Sequence, residues 1–266
     1  MNKREIESFQ RFIAQWYQLY GRHALPWRQT SDPYNILVSE LMLQQTQVSR
    51  VIPKYETFLK RFPNLHSLQL SSLAEVLILW QGLGYNRRAK YLWELAQAVQ
   101  KLPSTYDELR KLPGIGPYTA SAICAFAFNQ PVTMIETNIR SVFLYHFFPS
   151  ETNISDGDLL PLITMTIDQT IPRQWHWALM DYGSYLKTIL TNPNRRSKSY
   201  GIQSKFAGSS RQVRGEIIRI LTQKKLIDRI SLFSTLTSNK LFFDTALQQL
   251  IAENLVIEVD KQLSLK

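Results

Sequence analysis

The sequence predicts an all-α chain that ends in a small α+β module. Helical apolar spacing recurs up to about residue 190, and no earlier segment alternates with period two long enough to make a strand. The last residues, 255–259 and 263–265 around 260–262, instead read as two short strands joined by a turn.

Residues 5–20 place Ile6, Phe9, Phe12, Ile13, Trp16 and Leu19 on one side of a helix. Asp32-Pro33 is a start signal, an N-cap followed by proline at the first helical position, where the missing N–H is one the helix would leave unpaired anyway. Helices are predicted over 48–60, 73–80, 87–100, 106–111 and 118–128, with Pro and Gly punctuating between them. From Thr191 to Ser210 the chain is polar, basic and loop-like, which divides it into domains of residues 1–205 and 206–266. Helical patterns over 213–222 and 241–254, followed by the strand pair, make the second domain winged-helix-like.

The 266 residues are 44% hydrophobic and 12% aromatic, a folded composition that excludes wholesale disorder. One cysteine, Cys124, excludes an intramolecular disulfide framework and any four-thiolate metal site. The histidines at 23, 66, 146 and 176 form no pair at ligand spacing, so no metal site is expected. No apolar run approaches the ~20 residues of a membrane span, and the amphipathic start is unlike a signal peptide. A cytoplasmic, nucleoid-associated monomer without membrane contact is the expectation. The net charge of +10 is concentrated: residues 186–225 hold ten basic side chains against one acid, Glu216. Such clustering favours a polyanion partner held through its phosphates.

Two acids stand alone. Glu40 is the only charged residue from Pro33 to Ser49, inside an apolar helix, and Glu136 is the only one from Leu112 to Ile139. Burial of this kind favours the proton-carrying form of a carboxyl, so the two read either as a catalytic pair in a cleft or as structural groups. Leu112-Pro113-Gly114-Ile115-Gly116-Pro117, between a short helix and a longer one, fits a hairpin whose Gly114 and Gly116 let backbone N–H groups approach a phosphate. An ordinary helical joint fits the same spacing.

Leu25-Pro26-Trp27-Arg28, Asp32-Pro33-Tyr34, the string from Ser39 to Val48 (SELMLQQTQV), Gly82-Leu83-Gly84-Tyr85 and the hairpin occur in that order. Together they resemble the helix-hairpin-helix (HhH-GPD) DNA glycosylase superfamily, and within it the A/G-specific adenine DNA glycosylases, over residues 5–190. The resemblance implies two helical subdomains, a duplex DNA partner carrying a damaged or mispaired base, and base flipping in base excision repair. It implies Glu40 as the acid that protonates the departing base and Glu136 as the carboxylate that stabilises the sugar cation. Arg28, Tyr118, Asn138 and Trp177 match pocket positions; Gln45 and Tyr85 match residues that wedge into the duplex. Arg87, Arg88, Gly114, Gly116, Arg195, Arg196 and Lys198 are the expected backbone contacts. Tyr118 stands where a bifunctional branch carries lysine, so no strand-nicking lyase activity is expected.

The chain departs from the pattern in three places. Glu136 replaces an aspartate, with its carboxylate one methylene further out. Residues 184–199 hold no cysteine where four normally bind an iron–sulfur cluster, so no cofactor is expected. Trp177 replaces a Gln or Glu and cannot accept a hydrogen bond from an exocyclic amine. The alternatives are a sibling enzyme that excises hypoxanthine, uracil or mismatched thymine, and a DNA-damage-binding protein without catalysis.

Overall fold

The computed structural model describes residues 2–202 and 205–266. Met1, and Gln203 and Ser204 of the expected linker, lie outside the described residues. Two compact units emerge, one of residues 1–37, 103–111 and 115–202, the other of residues 38–102, 112–114 and 203–266. The helices are α1 Lys3–Tyr20, α2 Pro33–Leu43, α3 Val48–Arg61, α4 Leu65–Gln69, α5 Leu73–Trp80, α6 Arg87–Ala98, α7 Tyr106–Leu109 and α8 Pro117–Phe126. They continue with α9 Thr137–Phe147, α10 Asp156–Thr166, α11 Pro172–Ile189, α12 Ser210–Lys224, α13 Arg229–Thr235 and α14 Phe243–Ala252. Strands β1 Ile227–Asp228, β2 Val256–Val259 and β3 Gln262–Leu265 complete the chain. Among the described residues no helix is long and apolar enough to cross a membrane.

In the first unit α1 starts on a capping box, Asn2 with Glu5, and buries Phe9, Ile13 and Tyr17. The buried face is rotated from the expected one: Leu19 is 73% exposed, while Tyr17 is buried at i+4 from Ile13. Phe9 meets Phe143 of α9 and Trp175 of α11 edge-on, at ring centroids of 5.7 and 5.8 Å. Helix α11 packs so closely on α9 that a Cβ at Gly183 would lie 2.0 Å from the Asn138 carbonyl oxygen, so only glycine fits there. Helices α9 to α11 have apolar residues on most sides, which is why periodicity does not delimit them one by one.

The second unit is built on α3, α5 and α6, with Phe58, Leu77, Trp80 and Leu92 fully buried. The C-terminal module belongs to the same unit: Gln81 Nε2 donates to Thr222 Oγ1 of α12, and Arg211 Nη1 donates to Tyr85 Oη at 3.1 Å. The sheet is antiparallel in the order β1-β3-β2, with Val256 opposite Leu265 and Ile227 opposite Leu263. Strand β1 has two residues, too few to alternate, and so leaves no trace in the sequence pattern.

Candidate functional site

Glu40 lies on α2, where it is 5% exposed, between Val38, Ser39, Leu41 and Met42, each at most 1% exposed. The helix begins as its sequence dictates, with Asp32 Oδ1 accepting from Asn35 N at 3.0 Å ahead of Pro33. It carries no other charge.

The far end of α2 is held by Arg88, an expected DNA contact that proves to be internal. Arg88 is buried, and its guanidinium donates to the carbonyls of Leu41 (2.6 Å), Met42 (3.1 Å) and Gln44 (2.5 Å). It also reaches the carbonyls of Leu83 (3.1 Å) and Gly84 (3.0 Å) and Thr46 Oγ1 (3.3 Å). A phosphate has no access to it. Arg88 instead joins the carbonyl end of α2 to the turn after α5, and burial pushes its pKa down to about 10 without discharging it at neutrality. The two loop tips fixed in this way are Gln45 and Tyr85, both non-glycine residues at positive φ, +55° and +48°. Both are exposed.

Glu136 occupies the N-cap of α9. Its Oε1 accepts from the Asn138 and Ile139 amides, each at 2.8 Å, and its Oε2 accepts from Asn138 Nδ2 at 3.0 Å and Thr137 Oγ1 at 3.1 Å. The first-turn amides and these side-chain donors satisfy both oxygens of the carboxylate. Asn138, expected in the pocket, therefore orients Glu136. Two further residues emerge here. Asn194 Nδ2 donates to the Thr137 carbonyl at 2.8 Å and to Ser141 Oγ, tying the cysteine-free segment to the first turn of α9. Lys187 of α11 is half-buried; burial pushes its ammonium below the ordinary value, while the nearby Glu136 carboxylate pulls it back up. Both lie outside any motif, so periodicity carries no signal for them.

Arg28 is likewise internal. Its Nη1 and Nη2 donate to Asp181 at 2.5 and 2.8 Å, and Arg22 adds its amide and Nε, each at 2.7 Å. Burial alone would raise the Asp181 carboxyl, but the two arginines outweigh it and hold the pKa below the usual value. The expected pocket arginine is thus the partner of a buried acid, packed under Trp177 with its Cζ 5.6 Å from that ring. Trp177 is half-buried and stacks on Phe126 at 5.9 Å. Tyr118 is half-buried in the first turn of α8.

Gly114 has φ +74°, and a Cβ there would meet Tyr91 Cβ at 2.4 Å, so packing alone requires it. Gly116 is the N-cap of α8, whose amino end no side chain caps, and a Cβ on it would meet nothing within 4 Å. That open helix start suits a phosphate. In the basic segment Arg195 and Lys198 are exposed, as expected of DNA contacts. Arg196 is not: it donates to the carbonyls of Leu144 (2.8 Å), Phe148 (2.5 Å) and Pro149, closing the C-terminal end of α9. The exposed Arg87 donates to Tyr91 Oη at 2.7 Å. The segment that holds four thiolates in cluster-bearing relatives of the resemblance offers amide, hydroxyl and guanidinium groups instead. This donor set does not fit an iron–sulfur cluster.

A model of the HhH-GPD superfamily of base excision DNA repair proteins matches residues 38–157. The chain is 33% identical to the adenine DNA glycosylase of Mycolicibacterium smegmatis, over 92% of this chain and 91% of that protein. It is 38% identical to the adenine DNA glycosylase of Buchnera aphidicola subsp. Baizongia pistaciae, over 70% of this chain, and spans about half that relative's length, 54%. Among solved structures it resembles a thermostable thymine-DNA glycosylase, with a TM-score of 0.62 and 25% identity over 68% of this chain and 87% of that one.

Proposed function

Because this chain belongs to the HhH-GPD superfamily of base excision DNA repair proteins, we propose that it is a monofunctional DNA glycosylase that removes adenine mispaired with 8-oxoguanine or guanine. The observation that carries the reading is Glu40, a carboxyl 5% exposed in a helix with no other charge. Acids are rarely buried this deeply, and buried acids cluster at catalytic sites. In this reading Glu40 donates its proton to the base of a flipped nucleotide, the N-glycosidic bond breaks with its electron pair leaving on the base, and water adds at C1′ and gives up a proton that restores the Glu40 carboxyl. Glu136, held in place by the amides at the N-terminus of α9, opposes the positive charge that develops on the sugar. Tyr118 offers no amine for a Schiff base, which supports hydrolysis without strand nicking.

A second reading, excision of another base, is favoured by Trp177. Its ring stacks on Phe126 and offers an adenine amine no acceptor. Single-turnover excision on duplexes carrying adenine opposite 8-oxoguanine or guanine, then hypoxanthine, uracil and mismatched thymine, tests both. Adenine release with strand breakage only after alkali is the expected result. Release of a different base would transfer specificity to Trp177, breakage without alkali would overturn the monofunctional assignment, and tight binding without any release would leave a damage-binding protein.

A further inference from the structure

Glu136 ends the stretch of residues 127–136 that joins α8 to α9 without helix or strand. Such a stretch has no ladder of its own, so bonds to neighbouring elements decide where it lies. Helix α11 supplies several of them. Arg173 donates its amide to Asn129 Oδ1 at 3.1 Å and its Nη2 to the Ala127 carbonyl at 2.9 Å. One turn on, His176 Nε2 lies 3.0 Å from the Val132 carbonyl, four residues before Glu136. His176 is 0% exposed. A carbonyl only accepts, so Nε2 carries the ring proton and donates it. Burial pushes the imidazole pKa down to about 4, which leaves a neutral ring with that single donor at pH 7. Its Nδ1 meets no partner among the described residues. Phenylalanine would fill such a space without an unpaired nitrogen, so what histidine adds to packing is the bond to Val132.

The same face of α11 meets the chain again beyond Glu136. Gly183 follows His176 by about two turns, about 10 Å along the helix axis. It is the glycine whose Cβ would lie 2.0 Å from the Asn138 carbonyl oxygen. Lys187, one turn further on, is the residue whose ammonium feels the Glu136 carboxylate. Glu136 therefore stands between two points fixed by one helix, Val132 before it and Asn138 after it.

We propose that His176 is a positioning residue for Glu136, its bond to Val132 setting where the carboxylate stands against the sugar of the flipped nucleotide. The proposal rests on the glycosylase reading, in which that carboxylate opposes the charge developing at C1′. Attraction between charges falls with distance, and catalytic groups lose rate steeply when misplaced by about 1 Å. The demand is this chain's own, because Glu136 reaches one methylene further than the aspartate of the family pattern. The backbone behind it has to be held to match that reach.

The test reads the placement of this charge without any excision. Affinity of the whole protein is measured for two duplexes, one with a neutral tetrahydrofuran abasic analogue and one with a cationic pyrrolidine analogue at the same position. The wild-type protein is expected to favour the cationic duplex by about tenfold, and Glu136→Gln to bring the ratio within about twofold. His176→Phe, which has no donor, should lower the ratio to about threefold or less while the neutral duplex binds as before. His176→Gln, which keeps an N–H donor, should restore most of the preference. A role in stability alone would lower the melting temperature and leave the ratio where it was. His176→Met, flexible and apolar, replaces His176→Phe if that variant does not fold. A tenfold ratio retained in the folded variant without a donor overturns the proposal. A His176→Gln ratio no higher than that of His176→Phe, or a wild-type ratio near one, does the same. A ratio that depends on Glu136 and His176 in a protein that excises no base overturns only the glycosylase reading. Failure to bind either duplex overturns both.

Discussion

Arg88 Nη1 donates to the Leu41 carbonyl at 2.6 Å, one residue beyond Glu40. This single buried guanidinium closes the helix that carries the proposed acid and joins it to the turn that carries Tyr85. Arg88→Ala should lower stability by about 3–5 kcal/mol, because several carbonyls lose their donor in a site closed to water. Arg88→Lys should recover only part of this, since an ammonium lacks the planar fork. Urea denaturation of the three proteins measures both.

Glu40→Gln should reduce single-turnover excision by about 10²–10⁴-fold with DNA affinity retained, the loss expected for a general acid. Glu136→Gln should also slow excision, and it should in addition lower stability by about 1 kcal/mol as a weakened helix cap. Rate, affinity and melting temperature measured on the same preparations separate the roles. Full turnover in Glu40→Gln would remove the mechanism.

Asn194→Ala cuts the tie to the Thr137 carbonyl and Ser141 Oγ in the segment that lacks cysteine. A stability loss of about 1–3 kcal/mol is expected from the abandoned acceptors. Because Thr137 follows the Glu136 cap, the excision rate should fall while affinity for an abasic-analogue duplex holds. A change in affinity alone would mean that this segment serves only to grip DNA.

Acid should destabilise both units. Burial opposes ionisation of Asp181 and Glu216, but Arg28 holds the first carboxyl below its usual pKa, and the Ser238 and Thr237 donors hold the second at about 2. Each folded-state pKa lies below the unfolded value near 4, so this stabilisation is complete at neutral pH. It is lost as pH falls from about 4 through the folded values, toward pH 2 for Glu216. Denaturation midpoints taken between pH 7 and about 2.5 should fall in that window, and Glu216→Gln should flatten the decline. An unchanged slope in that variant would reassign the effect.

Neutralising Arg195 and Lys198 should weaken DNA binding on all sequences alike and reduce the salt slope by about 0.9 for each phosphate that is no longer neutralised. Arg196→Ala should mainly lower stability, since its donors close the end of α9. Salt titrations and thermal melts distinguish the two effects, and a sequence-selective loss in the first variant would contradict backbone contact.

Sequence by itself determined the helical class, the start of α2, the bounds of α5, the two C-terminal strands and the isolation of Glu40. Each is written in local spacing: an N-cap before proline, apolar residues at helical intervals, one charge in an apolar run. Only the tertiary structure decided what the arginines do. Arg28, Arg88 and Arg196 are as basic in sequence as Arg195, yet three are consumed by a buried carboxylate or by helix-end carbonyls, and one remains at the surface. The same holds for Asn194, whose partners Thr137 and Ser141 lie tens of residues away. A side chain's chemical type is local, whereas its burial and its hydrogen-bond partners depend on which distant backbone groups the packed helices leave unpaired.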